Sequence, residues 1–442
     1  MMNDTKASAG SGGGRRRLAG LACVLFLAGW LAPGSGRAQI LASDEVPRER
    51  TTPEKQYIDD DMARSKLRLG PVRIFPSVSI PNAGYDSNVF STTTDPVADW
   101  TATVAAGVRL LLPMGSKLYL KADVFPHYTW YDKLKDRNRF GGIYDLSLLG
   151  FFNRMSFQVT AADRQYYVLY SSELPSYIFE NLQSADGGLE VDLTKSLSIF
   201  GSGGYQKVRF TQYSGPPLQD VQVKFNNSDD AEARGGLRYT ISKDWYVAAL
   251  VDATWSDFQY QSELRDNRSL AYLGAVYFNR PRLFVNVRGG YREGMSNNGS
   301  FYPKYQTPVG SFFLSFFPTR WIELQGYGSR KVTASISALH PYYLNNTVGG
   351  GANIELFDHV LVRGFVQVGP HTYPEAQFEG GDLIKRVDHT KSYGGGLSVK
   401  LPARIVLTGL VSRQIYVSNV PAGTRNVTRF TAFLNFTGTY AR

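Results

Sequence analysis

Leu-Tyr-Leu-Lys-Ala-Asp-Val-Phe-Pro-His-Tyr-Thr-Trp, residues 118–130, is the stretch that decides the fold. In an extended chain successive side chains point to opposite faces. Leu118, Leu120, Ala122, Val124, Pro126, Tyr128 and Trp130 then share one face, and Tyr119, Lys121, Asp123, Phe125, His127 and Thr129 share the other. One face suits hydrocarbon and the other suits water. Tyr128 and Trp130 close one end of the apolar face, where an aromatic girdle meets lipid head groups. Charged residues lodged between apolar neighbours do not fit a dry sandwich core. The same division recurs in 283–292, 348–356 and 393–401.

Working outward, a tight and usually basic turn returns about every forty residues. It stands at Pro113–Lys117, Asn153–Arg154, Thr194–Ser196, Ser242–Asp244, Asn279–Arg282, Pro318–Arg320, Phe357–His359 and Pro402–Arg404. Longer polar stretches alternate with these turns, near 86–98, 168–183, 212–228, 295–306, 334–344 and 374–388. Short turns on one side and long loops on the other are the wiring of an all-β, transmembrane, antiparallel up-and-down β-barrel with periplasmic turns and extracellular loops. Eight turns join sixteen strands. One more segment precedes them (about 72–85) and one follows (about 427–440), giving about 18 strands, with 16 or 20 as alternatives.

The first residues read as an address. Arg15-Arg16-Arg17, the apolar run Leu18–Leu31 and the small residues around Ala38 describe a signal peptide over 1–38. Cys23, the only cysteine, lies at the start of the apolar run, which argues against a lipoprotein box. Its removal leaves no thiolate or disulfide chemistry. Residues 39–70, rich in charge and proline, form an N-terminal arm or small plug, and 71–442 form the barrel. The net charge of +10 falls to +6 once five basic residues and one acid leave with the leader, too little to suggest a nucleic-acid partner. Abundant Tyr (27), Phe (26) and Gly (44) suit a barrel.

Parity places thirteen charged residues as pore-lining: Lys121, Asp123, Arg164, Glu190, Asp192, Arg234, Arg238, Asp252, Arg288, Glu323, Glu355, Arg363 and Lys400. Asp145, Glu232 and Arg292 share that face. With eight of each sign, the charges either stand on opposite walls and make a transverse field, or pair and neutralise. Cations also gather at the turns: Lys117, Arg154, Lys195, Lys243, Arg280, Arg282, Arg320 and Arg404. They would meet anionic inner-leaflet head groups or an acidic periplasmic partner. Other motifs take plain readings. Asp86-Ser87-Asn88 is an Asx turn ending a strand. The Gly349–Gly351 and Gly394–Gly396 runs admit bends or large neighbours. The five histidines lack metal-ligand spacing. No catalytic constellation, metal site or cofactor is expected.

The run Phe75-Pro76-Ser77-Val78-Ser79-Ile80, with Gly84-Tyr85-Asp86-Ser87-Asn88-Val89-Phe90, resembles the opening strand of the β-barrel porin 2 family. The residues 430–440 resemble the closing strand that barrel-assembly machinery recognises. The first resemblance implies an outer-membrane conduit for a secreted polysaccharide, working with a periplasmic polysaccharide-export protein. A general diffusion porin or nutrient channel for small polar solutes is the alternative. An outer-membrane enzyme or a purely structural barrel comes behind.

Overall fold

The computed structural model describes residues 55–171, 173–211, 215, 223–336, 340–357, 359–379, 382–402, 405–420 and 424–437. The leader 1–38, the final Tyr440-Ala441-Arg442 and Arg404 therefore lie outside the described residues. The chain opens with helix α1 (Lys55–Arg64) and the short strand β1 (Leu67–Leu69). There follow β2 (Val72–Asp86), β3 (Asp99–Met114), β4 (Leu118–Tyr131), β5 (Arg139–Phe151), β6 (Met155–Leu169) and β7 (Tyr177–Asp192). Next come β8 (Leu197–Thr211), β9 (Ser228–Ser242), β10 (Trp245–Phe258), β11 (Asn267–Arg280), β12 (Leu283–Ser296) and β13 (Tyr305–Thr319). The last are β14 (Ile322–Ala334), β15 (Tyr342–Leu356), β16 (Val360–Glu379), β17 (Asp382–Leu401), β18 (Ile405–Ser418) and β19 (Arg425–Thr437).

Each strand from β2 to β19 pairs antiparallel with its sequence neighbour, and β19 pairs back onto β2. The result is a closed ring of eighteen strands, with β1 folded as a hairpin on the start of β2. Closure removes the sheet edge, which is what allows a sheet to sit in lipid. No helix among the described residues is long and apolar enough to cross a membrane. The short turns are tight enough to need left-handed backbone in places: Gly115 takes φ of 76°, and Gly70 in the β1–β2 hairpin 58°.

The alternation in β4 is realised in the burial. Val124, Tyr128 and Trp130 are exposed, while Tyr119, Asp123, His127 and Thr129 are buried. The register carries this face around the ring, through Tyr144 and Leu146 on β5, Val159 on β6, Leu237 on β9, Val276 on β11, Leu314 on β13 and Val348 on β15. At its loop end it carries Tyr85 and Trp100, whose rings lie 5.3 Å apart, with Trp255, Tyr272 and Tyr291. That is an apolar belt below an aromatic girdle. Placing arginine on the belt, as Leu146→Arg, should cost ~2–4 kcal/mol of stability in bilayers, measured by denaturant unfolding from lipid vesicles.

One loop differs from expectation. Residues 374–379 and 382–388 are strand, because β16 and β17 run on for 20 residues each as a long hairpin. A membrane-crossing strand needs only about 9–11 residues, so this hairpin projects past the bilayer. The glycine runs admit large neighbours: a Cβ on Gly349 would stand 2.6 Å from the Tyr327 ring. Inside the short-turn mouth lies α1. Ile58 and Met62 pack on Leu111, Tyr119, Leu149, Phe151 and Phe75, all on the inner faces of β2–β5, and the Tyr119 hydroxyl donates to Asp59 at 2.9 Å.

Candidate functional site

Most of the charged residues singled out from sequence meet an opposite charge close by. Asp123 receives Arg109 at 2.6 Å and Lys121 at 2.7 Å. Arg164 grips Asp145 through two bonds of 2.9 Å. Arg238 forms a buried fork on Glu190, and Arg234 (2.9 Å) and Arg292 (3.6 Å) converge on Asp252. Lys400 reaches across β16 to Glu355 at 2.7 Å. Asp192 accepts from the Ser198 hydroxyl at 2.6 Å. Glu323 accepts from Ser315, Gln325 and Asn353. Arg363 points to the Ser398 hydroxyl at 3.4 Å, and Arg288 is buried on β12. Nine of the thirteen residues thus stand in ion pairs, whereas Asp192, Glu323 and Arg363 are met by hydroxyl or amide groups. A close counter-charge offsets the cost of desolvation at the paired positions. Arg109 was not among the residues expected, although its parity with Leu111 places it on the same face.

The outer end is different. Six loops, those after β2, β4, β6, β8, β10 and β14, meet with the top of β16. The 87–98 loop starts with the expected Asx turn, the Asn88 N–H donating to Asp86 Oδ1 at 2.9 Å. The Asn88 side chain then staples the loop to Thr92 through bonds of 2.8 and 3.0 Å. This turns Val89 and Phe90 into a buried cluster with Tyr131, Tyr166, Tyr167, Tyr170, Leu174, Ile178 and Phe210. The Arg137 guanidinium sits within this cluster, 5.0–5.4 Å from the Phe90, Tyr131 and Tyr167 rings. Within the Tyr85–Phe90 run, Asp86 and Asn88 bend the loop and Val89 and Phe90 anchor it, while Tyr85 stays on the outer face beside Trp100.

The 170–176 loop crosses to the far wall. Its Glu173, only 1% exposed, accepts from the Ser335 hydroxyl (2.9 Å), the Ile336 N–H (2.7 Å) and the Tyr373 hydroxyl (2.5 Å). These partners sit on the β14–β15 loop and on β16, about half-way round the ring from β6 and β7. Burial pushes the Glu173 carboxyl above the usual carboxylate range, and the three donors oppose that shift. Arg265 ties the same region to a third loop, donating to Asn226 Oδ1 at 2.7 Å and to the Ser335 carbonyl at 2.8 Å. Arg429 on the last strand pairs with Asp86 at 2.7 Å and donates to the Pro175 carbonyl at 2.7 Å, joining ring closure to the loop. A small cavity lies beneath the knot, lined by Asp86, His127, Tyr131, Tyr177 and Arg429 among others.

Solved structures share this architecture. The crystal structure of Pseudomonas aeruginosa OccK2 (OpdF) superposes with a TM-score of 0.51 and 10% identity, over 83% of this chain and 98% of that one. That of the outer membrane protein opdK from Pseudomonas aeruginosa gives 0.51 and 8%, over 84% and 99%. The fold is that of an outer-membrane barrel. At such identities the likeness is one of fold alone. No family model matches the sequence, and no curated protein does. The porin 2 resemblance thus stands on its short motif.

Among the described residues no group of three His, Cys, Asp or Glu side chains is placed to hold a metal. His340 and His371 pack on Tyr373 and Tyr343 at 5.6 and 5.2 Å. At the opposite rim the turn cations Lys117, Arg154, Lys195, Lys243, Arg282 and Arg320 lie on the short turns, and Arg280 stands 3.4 Å from the Asp244 carboxylate.

Proposed function

We propose that the chain is a passive outer-membrane channel for small polar solutes, narrowed at its outer end by the loop knot. The observation that carries this reading is the divided wall: an unbroken apolar belt outside, and paired charges inside a closed ring of eighteen strands. In this reading the thirteen residues from Lys121 to Lys400 line the pore, hydrating it without fixing a strong field of one sign. The protein works with no cofactor and no chemical step. It reaches the membrane after loss of 1–38 and insertion by the barrel-assembly machinery, with outer-membrane lipids as its surroundings. The turn cations then face inner-leaflet head groups.

Polysaccharide export with a periplasmic partner rests on the resemblance. The knot lies across the route a polymer chain would take, which favours the nutrient-channel alternative. The test is conductance in planar bilayers together with swelling of proteoliposomes in small sugars. Discrete current steps and solute entry are expected. Their absence both in the natural protein and in a variant with the knot opened would contradict the channel.

A further inference from the structure

The short-turn mouth is occupied unevenly. Helix α1 covers the wall of β2–β5, whereas β10–β13, about half-way round the ring, carry an aromatic row on their inner faces. Tyr246, Tyr277, Phe284 and Phe313 follow one another with ring centroids 4.7, 5.4 and 5.7 Å apart. All four share the inner parity, since Tyr246 pairs with Tyr277, Tyr277 with Asn286 and Asn286 with Phe313, and Phe284 lies two residues before Asn286. All four are half-buried, so part of each ring remains accessible. The row runs into an apolar patch of Ala248, Leu250, Leu273 and Ala275 on the same inner faces, and a continuous apolar strip of this kind is not needed for hydration. Such a strip, rimmed by a few fixed polar groups, is the make-up of a ligand site.

Polar groups stand at both ends of the row. At one end the Arg238 guanidinium lies 5.5 Å from the Tyr246 ring and is already bound to Glu190. At the other, Ser315 is register-paired with Phe284 and donates to Glu323, which also accepts from Gln325 and Asn353 at 2.9 Å. The row offers both ring faces and ring edges, since Tyr246 and Tyr277 stack at 8° while Phe284 stands at 88° to Tyr277 and 63° to Phe313. Flanked by carboxylate, amide and guanidinium groups, it suits a pyranose ring, which presents a C–H face and a rim of hydroxyls. The centroid steps are comparable to one sugar unit along a chain. An aromatic or sugar acid fits less well, because the cation over Tyr246 is spent on Glu190 and the other flank carries the Glu323 carboxylate.

We infer that the β10–β13 wall at the short-turn mouth is a binding strip for neutral pyranose saccharides. The inference rests on the channel reading for its purpose, but its test does not need conduction. Calorimetric titration of the folded, detergent-solubilised protein with maltotriose should give saturable binding. Phe284→Leu and Tyr277→Ala should each weaken it by about tenfold or more, while Tyr277→Phe, which keeps the ring, should retain it. Heat-modifiable gel mobility verifies that each variant is folded. No binding of maltotriose, equal affinity in all variants, or binding confined to benzoate or glucuronate would overturn the strip. Current steps without saccharide binding sink the strip and leave the channel. Saccharide binding without current steps does the reverse.

Discussion

Glu173→Ala should raise the time-averaged single-channel conductance, with frequent long openings in place of a mostly closed trace. The carboxylate joins the 170–176 loop to Ser335, Ile336 and Tyr373 on the opposite wall. Hydrogen bonds to a charged acceptor contribute ~1.5–3 kcal/mol each, and alanine leaves three buried donors without it. Losing even one such contribution moves an open–closed equilibrium by about tenfold. The effect also has a sign in pH. Because burial raises the Glu173 pKa in the closed knot, the closed form binds the proton more tightly than an opened loop does. That contribution is fully present below the ordinary glutamate value of about 4.3 and is lost as pH rises through the raised value. The charged groups around it, Arg386, Asp388, Arg265 and Arg425, offset one another in part. Conductance should therefore be lower at acid pH than at mildly alkaline pH, and Glu173→Gln should flatten the profile at the closed level. Bilayer recordings across that range decide it. A pH profile in Glu173→Gln identical to that of the natural protein would remove Glu173 from the gate.

Arg429→Ala should be the most destabilising single change, by ~3–5 kcal/mol, because it strands the buried Asp86 carboxylate without its counter-charge. The pair spans the seam between first and last strand, and the same guanidinium holds the Pro175 carbonyl. Both ring closure and the crossing loop should loosen. Denaturant unfolding in vesicles measures the first, and proteolysis at 170–176 the second. Asp86→Asn together with Arg429→Gln should cost much less than Arg429→Ala, since no unpaired charge remains.

The barrel was legible because its signal is local. Period-two alternation in 118–130 and the repeated basic turns specify the strands, their number and their faces, since lipid outside and water inside act on every strand alike. The Asx turn at Asp86–Asn88 was legible for the same reason, its bonds spanning four residues. The loop expected over 374–388 is instead mostly strand, because β16 and β17 keep pairing from Ala376 with Lys385 to Glu379 with Asp382. The knot left no such trace. Glu173 and Tyr373 are 200 residues apart, and parity is silent on contacts made across a lumen. The aromatic row was hidden likewise, its four rings coming from four strands and meeting only through register.

The closed ring itself can be tested with one bond. Ala83 on β2 and Ala432 on β19 are register partners at the seam, and antiparallel partners lie about 4.5–5.5 Å apart between Cα atoms, within disulfide reach. Cys23 is the chain's only cysteine, so the Ala83→Cys, Ala432→Cys pair can be made in a Cys23→Ser background with no competing thiol. Mild oxidation of the folded protein in lipid should join the two within one chain, seen as a faster-migrating, reducible band on a denaturing gel. A folded, membrane-embedded protein in which these two thiols stay reduced or link only between chains would contradict the cylinder.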